Sequence, residues 1–428
     1  MSVQDVDVVV AGAGLAGATL AVALAQAGLR VAAVDAQAPG EGGGDGRASA
    51  ISFAPFRVWR ALGIAGRLSA VQPIAGIVVT DGRAGSPAPR LPSPAWIGFD
   101  AGDLGTADAG EPLGFMVENR DARAALGTAL AEAGVTLIAP DRVETATPGP
   151  ASIAVRLGSG RTLRAALVAA ADGRDSRLRL AAGVGVTGWP YEQAALVATV
   201  AHDTPHEGIA RQIFLPSGPL AVLPLPGNRS SLVWTETPER AATLKRLPAA
   251  AFEALLLRRL GAGLGAVRLE GERWTHPLAV QLAERHTADR LALVGDAACS
   301  IHPLAGQGLN LGIKDAAALA EVVADAFRIG EDVGAPAVLD RYARRRRFDA
   351  AALAAGTDAL RRLYAESDPV IAGARSVGIA IANRVGPLRR LFAREAGGAT
   401  GDPPRLVRER QGAFSKPRPA RGGAPAPS

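Results

Sequence analysis

Cysteine is nearly absent: Cys299 stands alone in 428 residues. A single thiol excludes an internal disulfide, and no Cys/His cluster has metal-ligand spacing, so no metal is expected. Both facts fit a reducing compartment, with the cytoplasm as the expected location. Lysine is scarce too, since only Lys245, Lys314 and Lys416 stand among 47 basic residues, and the net charge of +6 is carried by arginine. Aromatics are 4% and no basic stripe interleaves with them, which argues against nucleic acid as a partner. Weak attraction to anionic lipid headgroups stays compatible with the charge. A secretory signal needs a positive segment ahead of its apolar run, whereas here Asp5 and Asp7 flank the start. At this length the chain can bury a full core without staples, as two or three domains or as a large α/β protein with an inserted sheet.

What the chain has in quantity is glycine, and near the start it is patterned. In DVVVAGAGLAGATLAVALAQAGLRVAAVDA, residues 7–36, the β-branched Val8 to Val10 lead into Gly12-Ala13-Gly14-Leu15-Ala16-Gly17. Ala18 to Leu29 then read as helix and Leu29 to Val34 as a second strand ending on Asp35. Such a G-x-G-x-x-G turn needs glycine three times: at Gly12 for the tight turn, at Gly14 for close approach of backbone to a pyrophosphate, and at Gly17 for helix against strand. The phosphates then face a helix N-terminus, where unpaired N–H groups favour anions. Asp35, about 20 residues on, is placed to accept hydrogen bonds from ribose hydroxyls. The rival reading is a membrane span, because Val8 to Leu29 is uncharged and long enough to cross a bilayer. The confinement of β-branched residues to its start and the acid at the second strand's end favour the nucleotide.

Further along, Gln37 to Gly46 is a Gly/Pro-rich loop that delivers Arg47 toward the nucleotide end of the sheet. Phe56 to Leu62 and Arg123 to Ala133 read as helices, Pro73 to Phe99 as a strand excursion broken by prolines, and Val135 to Ile138 and Arg142 to Ala146 as strands. Arg161 to Ala171 reads as one more strand, running into Asp172-Gly173-Arg174-Asp175-Ser176. At the carboxyl edge of a nucleotide-binding sheet that carboxylate faces a ligand; as a bare dipeptide it is an ordinary Asp-Gly turn. Between Tyr191 and about Gly271 the runs Leu196 to Val200, Ala210 to Phe214, Leu220 to Leu225 and Ser230 to Trp234 are short and β-like, followed by a helix over Ala249 to Leu260. These describe a second, sheet-based domain inserted into the first. Leu291 to Cys299 is a buried strand ending in Gly295-Asp296, and the glycines around Gln307 precede a helix over Leu311 to Val323. That second helix N-terminus can face an electron-rich group. Arg344 to Arg347 read as a solvated helix face, Ala351 to Ala393 as helix interrupted near Pro369 and Pro387, and the tail from Gly401 as disordered.

Taken in order, G-A-G-L-A-G, A-A-D-G-R-D-S-R-L-R and V-G-D-A-A-C-S-I-H-P-L-A-G-Q-G-L-N-L-G resemble the single-component flavin-dependent aromatic hydroxylases. Gly114 to Asn119, Tyr191-Glu192-Gln193 and Gly218 to Leu225 are similar to the ubiquinone-biosynthesis hydroxylases within that family. The resemblance covers about residues 5–398, and three motifs in order are far more specific than one. It implies an α/β fold: a Rossmann-like FAD-binding domain of the glutathione-reductase type with an interleaved mixed β-sheet substrate domain and C-terminal helices. The expected division is FAD-binding 1–72, 105–180 and 273–345, substrate 73–104 and 181–272, C-terminal helices 346–400 and a disordered tail 401–428.

By the same resemblance, the loop Gly12, Ala13, Gly14, Leu15, Ala16, Gly17 holds the FAD pyrophosphate and Asp35 the adenosine ribose. Arg47 contacts the flavin-side phosphate or ribose. Asn119 supplies a polar contact, shared by Arg123 or Arg120, and Val143 offers backbone to the adenine. Asp172 and Gly173 form the second fingerprint, linked to FAD and to the nicotinamide nucleotide. Asp296 binds the ribityl chain, Pro303 lies near the flavin's reacting carbon, and Gly306, Gln307, Gly308, Leu309 and Asn310 present N–H groups to the isoalloxazine.

The implied reaction is hydroxylation of a polyprenylated phenol or quinol in ubiquinone biosynthesis, with NAD(P)H as transient co-substrate and O2, through a flavin C4a-hydroperoxide. No second dinucleotide fingerprint is present, which suits a nicotinamide nucleotide that only visits. Peripheral contact with the inner face of the cytoplasmic membrane or with a quinone-biosynthesis complex goes with such a substrate. The alternatives are a hydroxylase of a soluble aromatic compound and a non-catalytic FAD-binding component of such a complex. No catalytic residue is assigned. One departure concerns Cys299, where the family usually has histidine: a thiol cannot stand in for imidazole as a donor, and small buried packing is its simplest role. His302 reads as a loop-positioning residue ahead of an acid or base.

Overall fold

The computed structural model describes residues 4–41, 46–81, 96–104, 110–301, 307–365, 386–398 and 403–408. Its first layer is a six-stranded sheet in the order Thr287–Ala288, Leu291–Leu293, Leu167–Ala170, Val8–Ala11, Val31–Val34, Thr136–Ile138. Val8–Ala11 sits inside it, parallel to Leu167–Ala170 on one side and Val31–Val34 on the other. All three strands are buried along their length, which is why they read as unbroken apolar runs and not as alternation. Parallel pairing has a functional consequence. Gly12, Asp35, Asp172 and Gly295 follow the ends of four strands that run the same way, so they emerge at one edge.

The uncharged run Val8 to Leu29 is therefore strand, turn and helix, which overturns the membrane-span reading; among the described residues no helix is long and apolar enough to cross a membrane. The helix is Leu15–Gln26, with Gly14 as its N-cap, so it starts three residues before the expected Ala18 and takes Gly17 into its first turn. It also stops before Leu29, because Gly28 turns the chain at φ +98°. Arg161 to Ala171 is likewise two strands. Thr162–Ala165 pairs with Ile153–Leu157 in a separate four-stranded sheet, and only Leu167–Ala170 enters the parallel one. Asp7 carbonyl oxygen accepts the N–H groups of both Ala166 and Leu167 at the crossing point.

The second large layer is an eight-stranded sheet, in the order Cys299–Ser300, Val267–Ala283, Val186–His202, Arg229–Glu236, Gly218–Leu225, Ile209–Leu215, Gly76–Asp81, Trp96–Asp100. Two 17-residue strands form its spine, Val186–His202 and Val267–Ala283, antiparallel from Val186 opposite Ala283 to His202 opposite Val267. The second runs straight through residue 272, where the sequence reading placed a boundary. Helices Pro238–Arg246 and Ala249–Leu260 cover one face, closing a core around Trp234, Leu244 and Phe252. A three-stranded sheet of Ala48–Ser52, Gly114–Glu118 and Gln72–Ile74 joins the two layers.

The C-terminal third differs from expectation in three places. Arg344 to Arg347 are not a uniformly solvated face: Arg346 is only 2% exposed and pairs with Asp315, and Arg345 reaches Glu321. Pro387 opens the helix Gly386–Ala396 instead of interrupting one, a position where its missing N–H costs nothing. Pro369 and residues 409–428 of the tail lie outside the described residues. Within the tail, however, Arg405–Arg408 is helical, Leu406 and Val407 are buried in the main core, and Arg405 pairs with Asp325 at 2.6 Å. Two apolar side chains and an ion pair to the helix Gln307–Arg328 suffice to order a stretch that composition alone marks as unfolded.

Candidate functional site

The glycines of the first turn divide by what surrounds them. At Gly12, with φ +95°, an added Cβ would lie 2.3 Å from the Ala171 carbonyl oxygen, and at Gly17 it would lie 2.0 Å from the Gly12 oxygen. Those two glycines are demanded by the protein's own packing. Gly14 is different: no heavy atom lies within 4 Å of its added Cβ, so the space above the helix N-terminus is left open. Asp35 closes the loop from the other side. Its Oδ2 accepts from the Ala13 N–H at 2.6 Å and its Oδ1 from the Gln37 N–H at 2.9 Å.

Beside this loop is a cavity of about 390 Å³ lined by Ala13, Leu15, Asp35, Arg120, Arg123 and Leu137 among others. The Nε of Arg123 is buried there with no hydrogen-bond partner, an orphaned donor that an anionic or polar ligand would satisfy. Open space over Gly14, a helix N-terminus and an unsatisfied guanidinium fit the phosphate-bearing half of FAD. The Val143 side chain is buried in the core beneath the four-stranded sheet.

Asn119 begins the helix Asn119–Glu132, donates its backbone N–H to the Arg47 oxygen at 2.9 Å and accepts from the Ser49 hydroxyl at 2.7 Å. It thereby fixes where Arg47 leaves the loop. Arg47 lines a second cavity, about 260 Å³, with Arg120, Arg229, Glu118, Glu270 and Trp274. This one lies where the two layers meet: Arg229 of the eight-stranded sheet pairs with both Glu270, at 2.7 Å, and Glu118, at 3.2 Å.

Asp172 accepts the Arg177 N–H at 3.1 Å and Gly173 takes φ +88°, so the Asp-Gly dipeptide makes a local turn and sits at the ligand edge at once. Asp296 presents an exposed side chain at the same edge. Although its tip meets solvent, the protein packed around it withdraws enough water to raise its carboxyl above the usual range, Arg174 and Arg47 pull it back, and Asp315 adds to the rise. Arg47 and Arg174 therefore both bear on Asp296 although the chain separates the three widely. The backbones meet as well. A Cβ on Gly312 would lie 3.0 Å from the Ala16 Cβ and 3.3 Å from the Gly295 Cα.

The third segment is only partly within view. Pro303, Gly306 and His302 lie outside the described residues. Gln307, Gly308 and Leu309 form the half-buried first turn of the helix Gln307–Arg328. Asn310 is buried, and its side chain is committed to the strand Ala48–Ser52: Oδ1 accepts from Ser52 N–H at 2.9 Å and Nδ2 donates to the Ala50 oxygen at 3.0 Å. Cys299 is 1% exposed in a cluster with Tyr191, Ala195, Leu278, Val280, Ile301 and Leu311. Burial pushes its thiol up to about 12, so it is protonated packing and no nucleophile. Among the described residues no group of three His, Cys, Asp or Glu side chains could hold a metal ion.

Sequence reasoning missed the groups beneath the edge. Asp315 accepts from Gly295 N–H and Arg346, Tyr342 hydroxyl donates to the Leu293 oxygen, and buried Arg179 donates to the Ala297 oxygen. A signal did exist for two of them, because Val338, Leu339, Tyr342 and Arg346 fall at helical spacing on one buried face.

The FAD binding domain family matches residues 5–357. The chain is 44% identical over 410 residues to the ubiquinone hydroxylase UbiL of Rhodospirillum rubrum, covering 94% of this chain and 92% of that one. It is 33% identical over 399 residues to the 3-demethoxyubiquinol 3-hydroxylase of Escherichia coli, covering 91% and 98%. Among solved structures, p-nitrophenol 4-monooxygenase PnpA of Pseudomonas putida superposes with a TM-score of 0.76 at 21% identity, covering 93% of this chain and 99% of that one, and shares the fold. PqsL of Pseudomonas aeruginosa, solved in complex with 2-aminobenzoylacetate, gives 0.73 at 25% identity, covering 88% and 99%.

Proposed function

The chain belongs to the FAD binding domain family, and from that membership we propose that it is an FAD-dependent monooxygenase that hydroxylates the aromatic ring of a polyprenylated phenol or quinol in ubiquinone biosynthesis, using NAD(P)H and O2. The observation that carries the proposal is convergence. Gly12 packs on Ala171 and Asp172, Gly312 packs on Ala16 and Gly295, and Arg47 and Arg174 both bear on Asp296, all at one sheet edge. Relatives named as ubiquinone-pathway hydroxylases across nearly their whole length supply the substrate class.

FAD supplies the redox chemistry and the activation of oxygen; the protein's residues bind, orient and exclude water. The N–H groups after Gly14 would hold the pyrophosphate, with Arg123 Nε, which has no partner of its own, completing that contact. Asp35, already braced by the Ala13 N–H, offers its remaining acceptor capacity to the adenosine ribose, and Asp296 does the same for the ribityl chain. Gln307 to Leu309, the first turn of a 22-residue helix, would face the bound ring system, where a fixed dipole would stabilise negative charge without reorganising. The apolar cluster of Tyr191, Ala195, Leu278, Val280 and Ile301 backs this region and keeps water from the reacting atoms. Exposed Leu391, on the helix Gly386–Ala396, is where this reading puts the peripheral membrane contact that a bilayer-dwelling substrate requires.

The test is made on protein purified with its flavin. NAD(P)H oxidation should accelerate when a prenylated phenol is added, and removal of the gene should accumulate a quinone precursor lacking one hydroxyl by mass spectrometry. Oxidation indifferent to every prenylphenol would overturn the substrate, and a preparation that cannot be loaded with FAD would overturn the chemistry.

A further inference from the structure

Beneath the Gly295–Asp296 turn lies a buried ion pair that no fingerprint accounts for. Asp315 and Arg346 are 1% and 2% exposed, with Arg346 Nε donating to Asp315 Oδ1 at 2.6 Å. The other oxygen, Oδ2, accepts from the Gly295 N–H at 3.0 Å. Arg346 is held in turn by Asp349 at 2.8 Å, and one helical turn earlier Tyr342 donates its hydroxyl to the Leu293 oxygen at 2.7 Å. The helix Pro336–Ala365 thus grips both the last residue of a parallel strand and the turn that follows.

A charge pair this deep is a costly way to fill space, and apolar residues of similar volume often do as well. What the pair adds is an acceptor aimed at one N–H. Gly295 has φ +63°, and Gly295, Gly312 and Ala16 are packed too closely for the turn to shift without moving the first glycine loop. Asp315 stands one turn beyond Gly312 on the same helix. We infer that Asp315 and Arg346 are positioning residues that set FAD affinity by holding the Gly295–Asp296 turn against the first glycine loop. The inference rests on the flavin reading above, and its test separates the two.

A natural control is the other arginine–carboxylate staple, Arg290 with Asp332, paired at 2.6 Å. It also ties Ala166, Gly149 and Pro150, at the amino end of the sheet strands and away from the site. Apoprotein of Asp315→Asn, Asp332→Asn and wild type is titrated with FAD by flavin fluorescence, and its folding followed by circular dichroism. Asp315→Asn should fold and bind FAD about tenfold or more weakly, the loss of one charge-assisted hydrogen bond. Asp332→Asn should lower the melting temperature yet leave the Kd for FAD within about twofold, because distant sites act independently. A folded Asp315→Asn with the wild-type Kd overturns the inference, and so does an Asp332→Asn that weakens FAD equally. Should Asp315→Asn fail to fold, Arg346→Lys and Tyr342→Phe decide in its place: weakened FAD supports the strut and an unchanged Kd defeats it. Wild-type apoprotein that takes up no FAD defeats the proposed function and the strut together, whereas loaded wild type beside an indifferent Asp315→Asn defeats the strut alone.

Discussion

Glycine does different work in the two large sheets. In the parallel one, Gly12 and Gly17 leave no room for a side chain, yet Gly14 between them faces open space. In the eight-stranded sheet, Gly188 is as crowded as either, its Cβ position 2.1 Å from the Val280 oxygen, but it sits inside a ladder with the partner strand pressed against it. Both regions use missing side chains to bring backbones together. Each also has a glycine with open space beside it, Gly14 in the first and Gly271 in the second, but Gly271 is mid-strand whereas Gly14 caps a helix, and an unfilled gap at a helix N-terminus is a place for a ligand.

The sharpest way to break that comparison is to fill the gaps one at a time. Gly12→Ala must hold an alanine at φ +95° against a carbonyl oxygen, a strain in the exceptional class above about 4 kcal/mol; loss of both flavin and soluble protein is expected. Gly14→Ala meets nothing in the protein and has φ −61°. Its melting temperature should stay at the wild-type value while FAD binding weakens by about 1–3 kcal/mol, the usual cost of an extra methyl in occupied space. If Gly14→Ala binds FAD normally, the open space is not the cofactor's. In the other sheet, Trp234→Ala removes a side chain 1% exposed against Phe252, and should cost about 3–5 kcal/mol in urea unfolding. Because its core faces the covering helices and not the ligand edge, flavin content per folded molecule should not change. A parallel fall in flavin affinity would mean that the two layers are not separable.

The same contrast explains what could be read from residues alone. Val8 to Val10, the glycine loop and Asp35 were legible because parallel strands are buried on both faces, and because close backbone approach admits only glycine. The long strands of the other sheet were not. Register shifts between Pro190 and Ala194 and between Val197 and Thr199 break the alternation, and Gly271, at φ +68°, bulges mid-strand where the sequence analysis ends its β-like region. Arg346 was hidden by its neighbours. A four-arginine run looks solvated, and the carboxylate that buries one member lies 31 residues away. Asn310 stood in the right segment, but which of its polar groups is used depends on a strand more than 250 residues earlier.

Acid is the gentlest probe of the difference, since it leaves every side chain in place. His202, in the eight-stranded sheet, pairs through Nδ1 with the Thr204 oxygen at 2.8 Å and through Nε2 with the Ser230 hydroxyl at 3.0 Å, an arrangement that the neutral ring satisfies by donating to the first and accepting from the second. Burial lowers its pKa below 6.5, nearby His206 and Arg211 lower it further, and the Thr204 carbonyl partly offsets them. His286, buried without a ring hydrogen bond, is lowered by the same loss of water, which Asp315 partly opposes. The sign follows. A depressed imidazole pKa means the unfolded chain binds the proton first, so stability is full above about pH 6.5 and falls as pH drops through that value. Urea midpoints should therefore decline between about pH 7 and pH 5, and His202→Gln should flatten the slope while leaving flavin affinity at neutral pH unchanged. A slope that survives both His202→Gln and His286→Gln would move the proton uptake off these two imidazoles.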